Sequence, residues 1–468
     1  MNSTSVLPQM GTTRSPKSKS LQSEAARYLS LNPDLSGLFP AGLCLLIGIY
    51  TPQNSIWFLL VMRFLLLPEN NSLSHIAKSL AISDSLEKRG HESFIGVAPS
   101  RSGFMKSTGR KFFTLPGIQE SDNAPLPTLN WFRDPRRVLE CIRAEAELIK
   151  KTRADRVLGI FRFTAWAAAR LAGVPYDSLV CGCMLQDCGE VLGYANGDPG
   201  ADEQGKYMDL FFRHLARKMN VCLDMLGLGQ IDDIREALKG ERTFLWDFPE
   251  FMPVRGGDGV VHIGPVSWNG WSCDGFDPSV VADSKRPLAI IAFGTGTVPL
   301  ECIIRLIKVL VREGFRVVFA AGGQEQVLGD LPELEHLLKL NYAPLREILP
   351  HASVIITHGG QMTIFESLAR RVPALVIPFQ PEQMHNGLCL ERIGCGRRLI
   401  AAGPFRGDTS IYQQALDSCT DADIVSAISS LVNGRTREAL ENFGRIMEKY
   451  RGVELLSELL TEKACPRQ

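Results

Sequence analysis

An α/β chain with two parallel-sheet domains is predicted by three stretches of this sequence. Arg63-Phe64-Leu65-Leu66-Leu67-Pro68, a turn at Asn70-Asn71-Ser72, a helical pattern through Ile76, Leu80, Ile82 and Leu86, and the run Phe94-Ile95-Gly96-Val97 form the β–loop–α–β start of one sheet. Between Gly270 and Pro287, glycine, serine, aspartate and proline recur throughout, which marks a linker. Past it, short apolar runs at 288–293, 316–320, 354–356 and 374–377 continue as the strands of a second parallel sheet, with a helical pattern from Ile303 to Val311.

A chain of 468 residues has room for both sheets at about 100–200 residues per domain. The boundaries read as an N-terminal extension over 1–61, a first domain over 62–269, a linker over 270–287, a second domain over 288–433 and closing helices over 434–468. The closing pattern breaks near Arg451-Gly452.

Composition narrows the classes. Lys plus Arg and Asp plus Glu are each 51, so no charge excess favours a nucleic acid or an acidic membrane. The hydrophobic content of 45% is that of an ordinary globular protein. The 12 cysteines are scattered, several inside apolar runs such as those of Cys302 and Cys389, with no Cys-x-x-Cys pair, which favours reduced thiols in the cytoplasm. Cys181, Cys183 and Cys188 cluster, but without the spacing or the fourth ligand of a zinc site. Residues 1–27, rich in Ser, Thr, Lys and Gln, are expected to be disordered. The apolar runs Leu38 to Tyr50 and Ile56 to Leu67 both fall short of the roughly 20 residues that span a bilayer, and a peripheral membrane contact is compatible with them. The first starts too late for a cleavable signal.

One stretch names a chemistry. Val354-Ile355-Ile356 is a short β-branched run that ends in His358-Gly359-Gly360, after which a helical pattern begins. Two glycines let backbone approach a ligand, and the free N–H groups of a first helical turn favour an anion such as a diphosphate. Thr363 adds a hydroxyl to that turn beside Met362, and Glu366 offers a carboxylate suited to a vicinal diol such as a ribose. The loop beyond Ala374 to Pro378 carries Glu382-Gln383, and loops past adjacent strand ends line one crevice. One site can thus hold a diphosphate, a ribose and a further polyhydroxy group.

These residues resemble the donor signature of the family 1 glycosyltransferases and their relatives, including UDP-glycosyltransferase-like and bacterial macrolide-glycosyltransferase-like enzymes: His358-Gly359-Gly360, Thr363, Glu366, Pro378 and Glu382-Gln383, with Tyr342-Ala343-Pro344 where the family usually has Trp-x-Pro. The resemblance implies the GT-B fold, two Rossmann-like domains facing across a cleft, and transfer of a hexose from a nucleotide-diphosphate sugar, a UDP-sugar by this reading. It implies inversion at the anomeric carbon without a metal or other cofactor, onto a small-molecule or lipid acceptor. The donor side would comprise Gly294, Thr295, Tyr342, His358, Gly359, Gly360, Met362, Thr363, Glu366, Glu382 and Gln383.

The family's base is a histidine in the loop after the first strand, fourteen residues before the Arg of an Arg-Gly-His helix end. Here that Arg is Arg89, and His75 stands fourteen before it. An imidazole with an ordinary pKa near 6.5 is neutral at physiological pH and can accept a proton. The chain departs from the family where many members carry an aspartate that holds the histidine, because Ile160 stands there; Asp187 and Glu190 are candidates to replace it. Two alternatives keep the architecture: a UDP-sugar 2-epimerase, and a non-catalytic nucleotide-sugar binding protein, which Ile160 motivates.

Overall fold

The computed structural model describes residues 45–48, 57–118, 132–195, 197–255, 257, 259–268, 270, 276–277, 279–282, 285–294 and 298–462, the backbone alone at 45–48 and 57–60. Most of the predicted extension, including the segment expected to be disordered, lies outside these residues. Within it, β1 (Leu45–Gly48) and β2 (Trp57–Leu60) pair antiparallel, with Leu45 opposite Leu60. The described parts of the two apolar runs are thus strands, and no helix of the described residues is long and apolar enough to cross a membrane.

Two all-parallel sheets follow. The first has seven strands: β3 (Arg63–Pro68), β4 (Glu92–Val97), β5 (Phe113–Thr114), β6 (Arg156–Ile160), β7 (Tyr176–Val180), β8 (Thr243–Leu245) and β9 (Val260–His262), in the order β5-β4-β3-β6-β7-β8-β9. The second has six: β10 (Leu288–Ala292), β11 (Arg316–Ala320), β12 (Leu337–Leu340), β13 (Ala352–Thr357), β14 (Ala374–Val376) and β15 (Gly396–Arg398), in the order β12-β11-β10-β13-β14-β15. In both, the order reverses beside the first strand of the sheet. That switch point opens a crevice past the carboxyl ends of the strands, where open α/β sheets bind ligands.

Burial explains the strand composition. β3 reads Phe-Leu-Leu-Leu and β10 Leu-Ala-Ile-Ile-Ala, and these residues are almost fully buried because helices cover both faces. The helix Leu73–Lys88 begins where Ser72 accepts from the Ser74 N–H at 3.2 Å and ends at Arg89-Gly90, with Gly90 at φ +84°. Sequence spacing placed β3, that helix and β10 closely. The short strands β5, β12 and β15 carried no apolar run long enough to read.

The closing helices are split as expected, into Gly434–Met447 and Val453–Thr461. The first packs on helix Gln361–Ala369 of the second domain, where Arg371 pairs with Glu441 and Glu448. The second packs on helix Leu73–Lys88 of the first domain, and Arg89 binds Glu458 at 2.9 Å. Between them Gly452 donates its N–H to the Ile263 carbonyl, and a Cβ at Gly452 would collide with the Pro265 oxygen. The chain end therefore ties one domain to the other.

Candidate active site

Two glycine turns of the second domain close on one imidazole. β10 turns at Gly294 (φ +59°), and β13 runs through His358-Gly359-Gly360 into helix Gln361–Ala369. A Cβ on Gly294 would stand 3.2 Å from His358 Cε1, and one on Gly360 2.7 Å from Nε2. Gly359, at φ +96°, leaves no room for a side chain, since its Cβ would meet the Gln383 carbonyl oxygen at 2.8 Å. Asn386 Nδ2 donates to the Gly359 carbonyl at 2.9 Å, so helix Pro381–Arg392 holds the turn in place.

That geometry suits an anion. No side chain caps the helix at Gly360, which leaves the first-turn N–H groups unclaimed by a cap. Burial lowers the His358 pKa to about 4, so the ring is neutral, and its Nδ1 has no hydrogen-bond partner among the described residues. Met362 and Thr363 of the first turn are partly exposed. Thr295 lies outside the described residues.

The remaining donor-side residues are brought near but are not all unengaged. Glu366 faces Arg370 at 2.8 Å and Arg346 at 3.5 Å. Glu382 accepts from Asn386 Nδ2 at 3.3 Å, and its pKa is raised by burial. The Gln383 side-chain oxygen takes the Phe379 N–H at 2.8 Å, capping its own loop. Tyr342 is 41% exposed, with its hydroxyl close over Gly323.

On the first domain, His75 sits in the first turn of helix Leu73–Lys88 and is 8% exposed. Its ring stacks on Phe161 at 5.4 Å between centroids and tilts against Trp246 at 5.7 Å. Burial, with smaller contributions from the Lys78 and Arg101 charges, lowers its pKa to about 3, so it too is neutral; Nδ1 is without a hydrogen-bond partner among the described residues.

The candidates to orient His75 do not reach it. Asp187 binds Lys239 at 2.6 Å, and Glu190 binds Arg392 at 2.6 Å and faces His385 at 3.3 Å. Ile160 is fully buried, and the next residue fills the place instead: Phe161, at φ +54°, lays its ring against the imidazole. Arg162 fixes that bend, because its guanidinium is buried against Glu145 at 2.7 Å and Glu69 at 3.6 Å. The ring is thus held by the Phe161 and Trp246 faces and a Glu69 backbone hydrogen bond rather than by a carboxylate.

Sequence reading missed three residues of this seam. Trp246 Nε1 donates to Gln361 Oε1 at 2.6 Å, joining the first domain to the first residue of helix Gln361–Ala369. Lys78, one turn past His75, places its ammonium 4.5 Å from the Trp246 ring centre. A lysine at i+3 from the candidate base on an otherwise apolar helix face was a legible signal; the tryptophan, 171 positions away, had none. The cysteine cluster divides as well. Cys183 Sγ donates a hydrogen bond to Cys181 Sγ at 3.7 Å, both thiols being free, while Cys188 groups with Glu190 and His385 as the set that could hold a metal among the described residues. Arg392 already neutralises Glu190 there.

The fold is the GT-B architecture, two parallel-sheet domains, and the chain is similar to family 1-like glycosyltransferases. Residues 297–401 match the glycosyltransferase family 28 C-terminal domain. A demethyllactenocin mycarosyltransferase of Streptomyces fradiae is 33% identical over 121 residues, 25% of this chain and 26% of that protein. A PGL/p-HBAD biosynthesis rhamnosyltransferase of Mycobacterium bovis (strain BCG / Pasteur 1173P2) is 21% identical over 361 residues, 71% of this chain and 76% of that protein. The chain thus spans about a quarter of the first relative and about three quarters of the second. Among solved structures, the glycotransferase of kitacinnamycin superposes with a TM-score of 0.67 at 18% identity, covering 86% of this chain and 98% of the other. A spinosyn rhamnosyltransferase complexed with thymidine diphosphate gives 0.62 at 16%, covering 86% and 100%.

Proposed function

We propose that this glycosyltransferase moves a hexose from a UDP-sugar to a hydroxyl of a small-molecule or lipid acceptor, with inversion, without a metal or other cofactor, in the cytoplasm. The observation that carries the reading is the chain of contacts His75, Trp246, Gln361: the candidate base lies one ring away from the helix that follows His358-Gly359-Gly360.

In this mechanism His75 takes the proton of the acceptor hydroxyl as its oxygen attacks the anomeric carbon. The bond from that carbon to the diphosphate oxygen breaks, and the nucleoside diphosphate leaves into the first-turn N–H groups beside His358. Glu382 and Gln383 read sugar hydroxyls, Glu366 the ribose, and Tyr342 the base. A thymidine nucleotide is the second reading, favoured by one observation: Arg346 and Arg370 already engage Glu366, so its carboxylate does not depend on a ribose diol for partners.

The test incubates the purified chain with UDP-glucose and with a dTDP-hexose, each alone and with a panel of hydroxylated aglycones, followed by mass spectrometry. A glycoside formed only when acceptor is present supports the proposal. Epimerised donor without acceptor, or ligand-induced thermal stabilisation with no product in any mixture, overturns it.

A further inference from the structure

Lys78 is a buried cation with no described counterion. The residue is 4% exposed, and among the described residues no carboxylate oxygen lies within the 4.0 Å of an ion pair. Its ammonium rests over the Trp246 ring, and the groups whose charge acts on it are the Cys181 thiol of its own domain and, more weakly, the Glu382 carboxyl of the facing domain. Arg101, half-buried, is a second cation whose charge acts on His75. It donates Nε to the Asn70 carbonyl at 2.9 Å and feels the Tyr342 phenol across the cleft, again with no carboxylate within ion-pair distance among the described residues.

Burying a charge without a partner is costly, and sites that retain such a charge commonly await an ion of opposite sign. Burial here is strong enough to lower the Lys78 pKa to about 8. The ring that carries the ammonium also donates to Gln361, the first residue of the helix whose N-terminus faces the His358 turn. A diphosphate seated on that helix end would therefore stand next to the Lys78 ammonium.

We propose that Lys78 is the first domain's contact to the donor diphosphate, its ammonium binding a phosphate oxygen that the helix N-terminus holds from the other side. This rests on the donor reading above. Leaving-group charge is then met from both domains, and nucleotide binding draws the base toward the anomeric carbon. Lys78 is a substrate-binding residue by this account, whereas Trp246 positions it.

The experiment titrates the full chain and its Lys78→Met and Lys78→Arg variants calorimetrically with UDP, dTDP and the phosphate-free nucleosides. Loss of one charge-assisted contact should weaken diphosphate binding by about 10–100-fold in Lys78→Met, with partial recovery in Lys78→Arg. Nucleoside binding should stay within about twofold of the parent, a change of under 1 kcal/mol. Undiminished UDP and dTDP affinity in Lys78→Met overturns the assignment alone. So does a parallel loss of nucleoside binding, which marks a structural role, or a change confined to the acceptor KM, which marks an anionic acceptor. A parent protein that binds neither nucleotide overturns the donor reading, and this inference with it.

Discussion

Trp246 and Gln361, 115 positions apart, share a 2.6 Å hydrogen bond at the seam between the two domains. The bond is buried, with Trp246 4% and Gln361 5% exposed. Trp246→Phe keeps the ring under Lys78 and beside His75 but leaves the Gln361 oxygen without its donor. A loss of about 1–3 kcal/mol in unfolding free energy is expected from urea titration. Donor KM should rise more than acceptor KM, because the helix N-terminus is the part released.

His75→Ala should lower transfer by about 10²–10⁴-fold, the usual contribution of a general base, while nucleotide affinity, seated on the second domain, stays near that of the parent. Since burial holds the imidazole at about 3, the rate should show no rising limb from this group between pH 5 and 8, a range set well above that value. A rate that climbs through about pH 6.5, the ordinary value, in the parent but not in another His75 variant with residual activity would place the ring in water.

Gly359→Ala has two faults at once, a positive φ and a Cβ against the Gln383 oxygen. The turn must open, which pushes helix Pro381–Arg392 away and moves Glu382 with it. Nucleotide binding should fall by about tenfold or more, as a strained backbone costs about 1–3 kcal/mol. Gly109→Ala, also at positive φ but with open space around it, controls for backbone strain alone and should leave nucleotide binding intact.

Acid should destabilise the fold through both buried imidazoles. Their folded pKa values, about 3 for His75 and about 4 for His358, lie below the ordinary 6.5, so the unfolded chain binds more protons across that interval. Stability is therefore full above 6.5 and falls as pH drops toward 4, with each ring contributing up to about 1.4 kcal/mol per pH unit. Chemical denaturation of the parent and of His75→Gln/His358→Gln at pH 7 and pH 5 checks this: the double variant should lose less between the two.

The same argument applies to Lys78 at higher pH. Its folded pKa of about 8 lies below the ordinary 10.5, so the cost of burying the ammonium is present below 8 and is relieved as pH rises from 8 to 10.5. Lys78→Met should accordingly be as stable as the parent at pH 7 or more so, by up to about 1–3 kcal/mol, even as nucleotide binding weakens. A large drop in melting temperature would show instead that the ammonium holds the fold together.

Local sequence determined whatever depends on a few adjacent residues. β3 and β10 were legible because burial on both faces demands an unbroken apolar run, and the His358-Gly359-Gly360 turn because a strand, two glycines and a helix follow one another in the chain. Spacing along one helix likewise joined His75 to Arg89. The surroundings of His75 were decided only in three dimensions. Phe161 is bent onto the ring by the Arg162–Glu145 pair, Trp246 arrives from the end of another strand, and Asp187 and Glu190, which sequence offered as partners, are drawn away by Lys239 and Arg392. Each of these depends on which strand ends the sheet order brings together, and that order is set by packing over the whole domain rather than by any short stretch of chain.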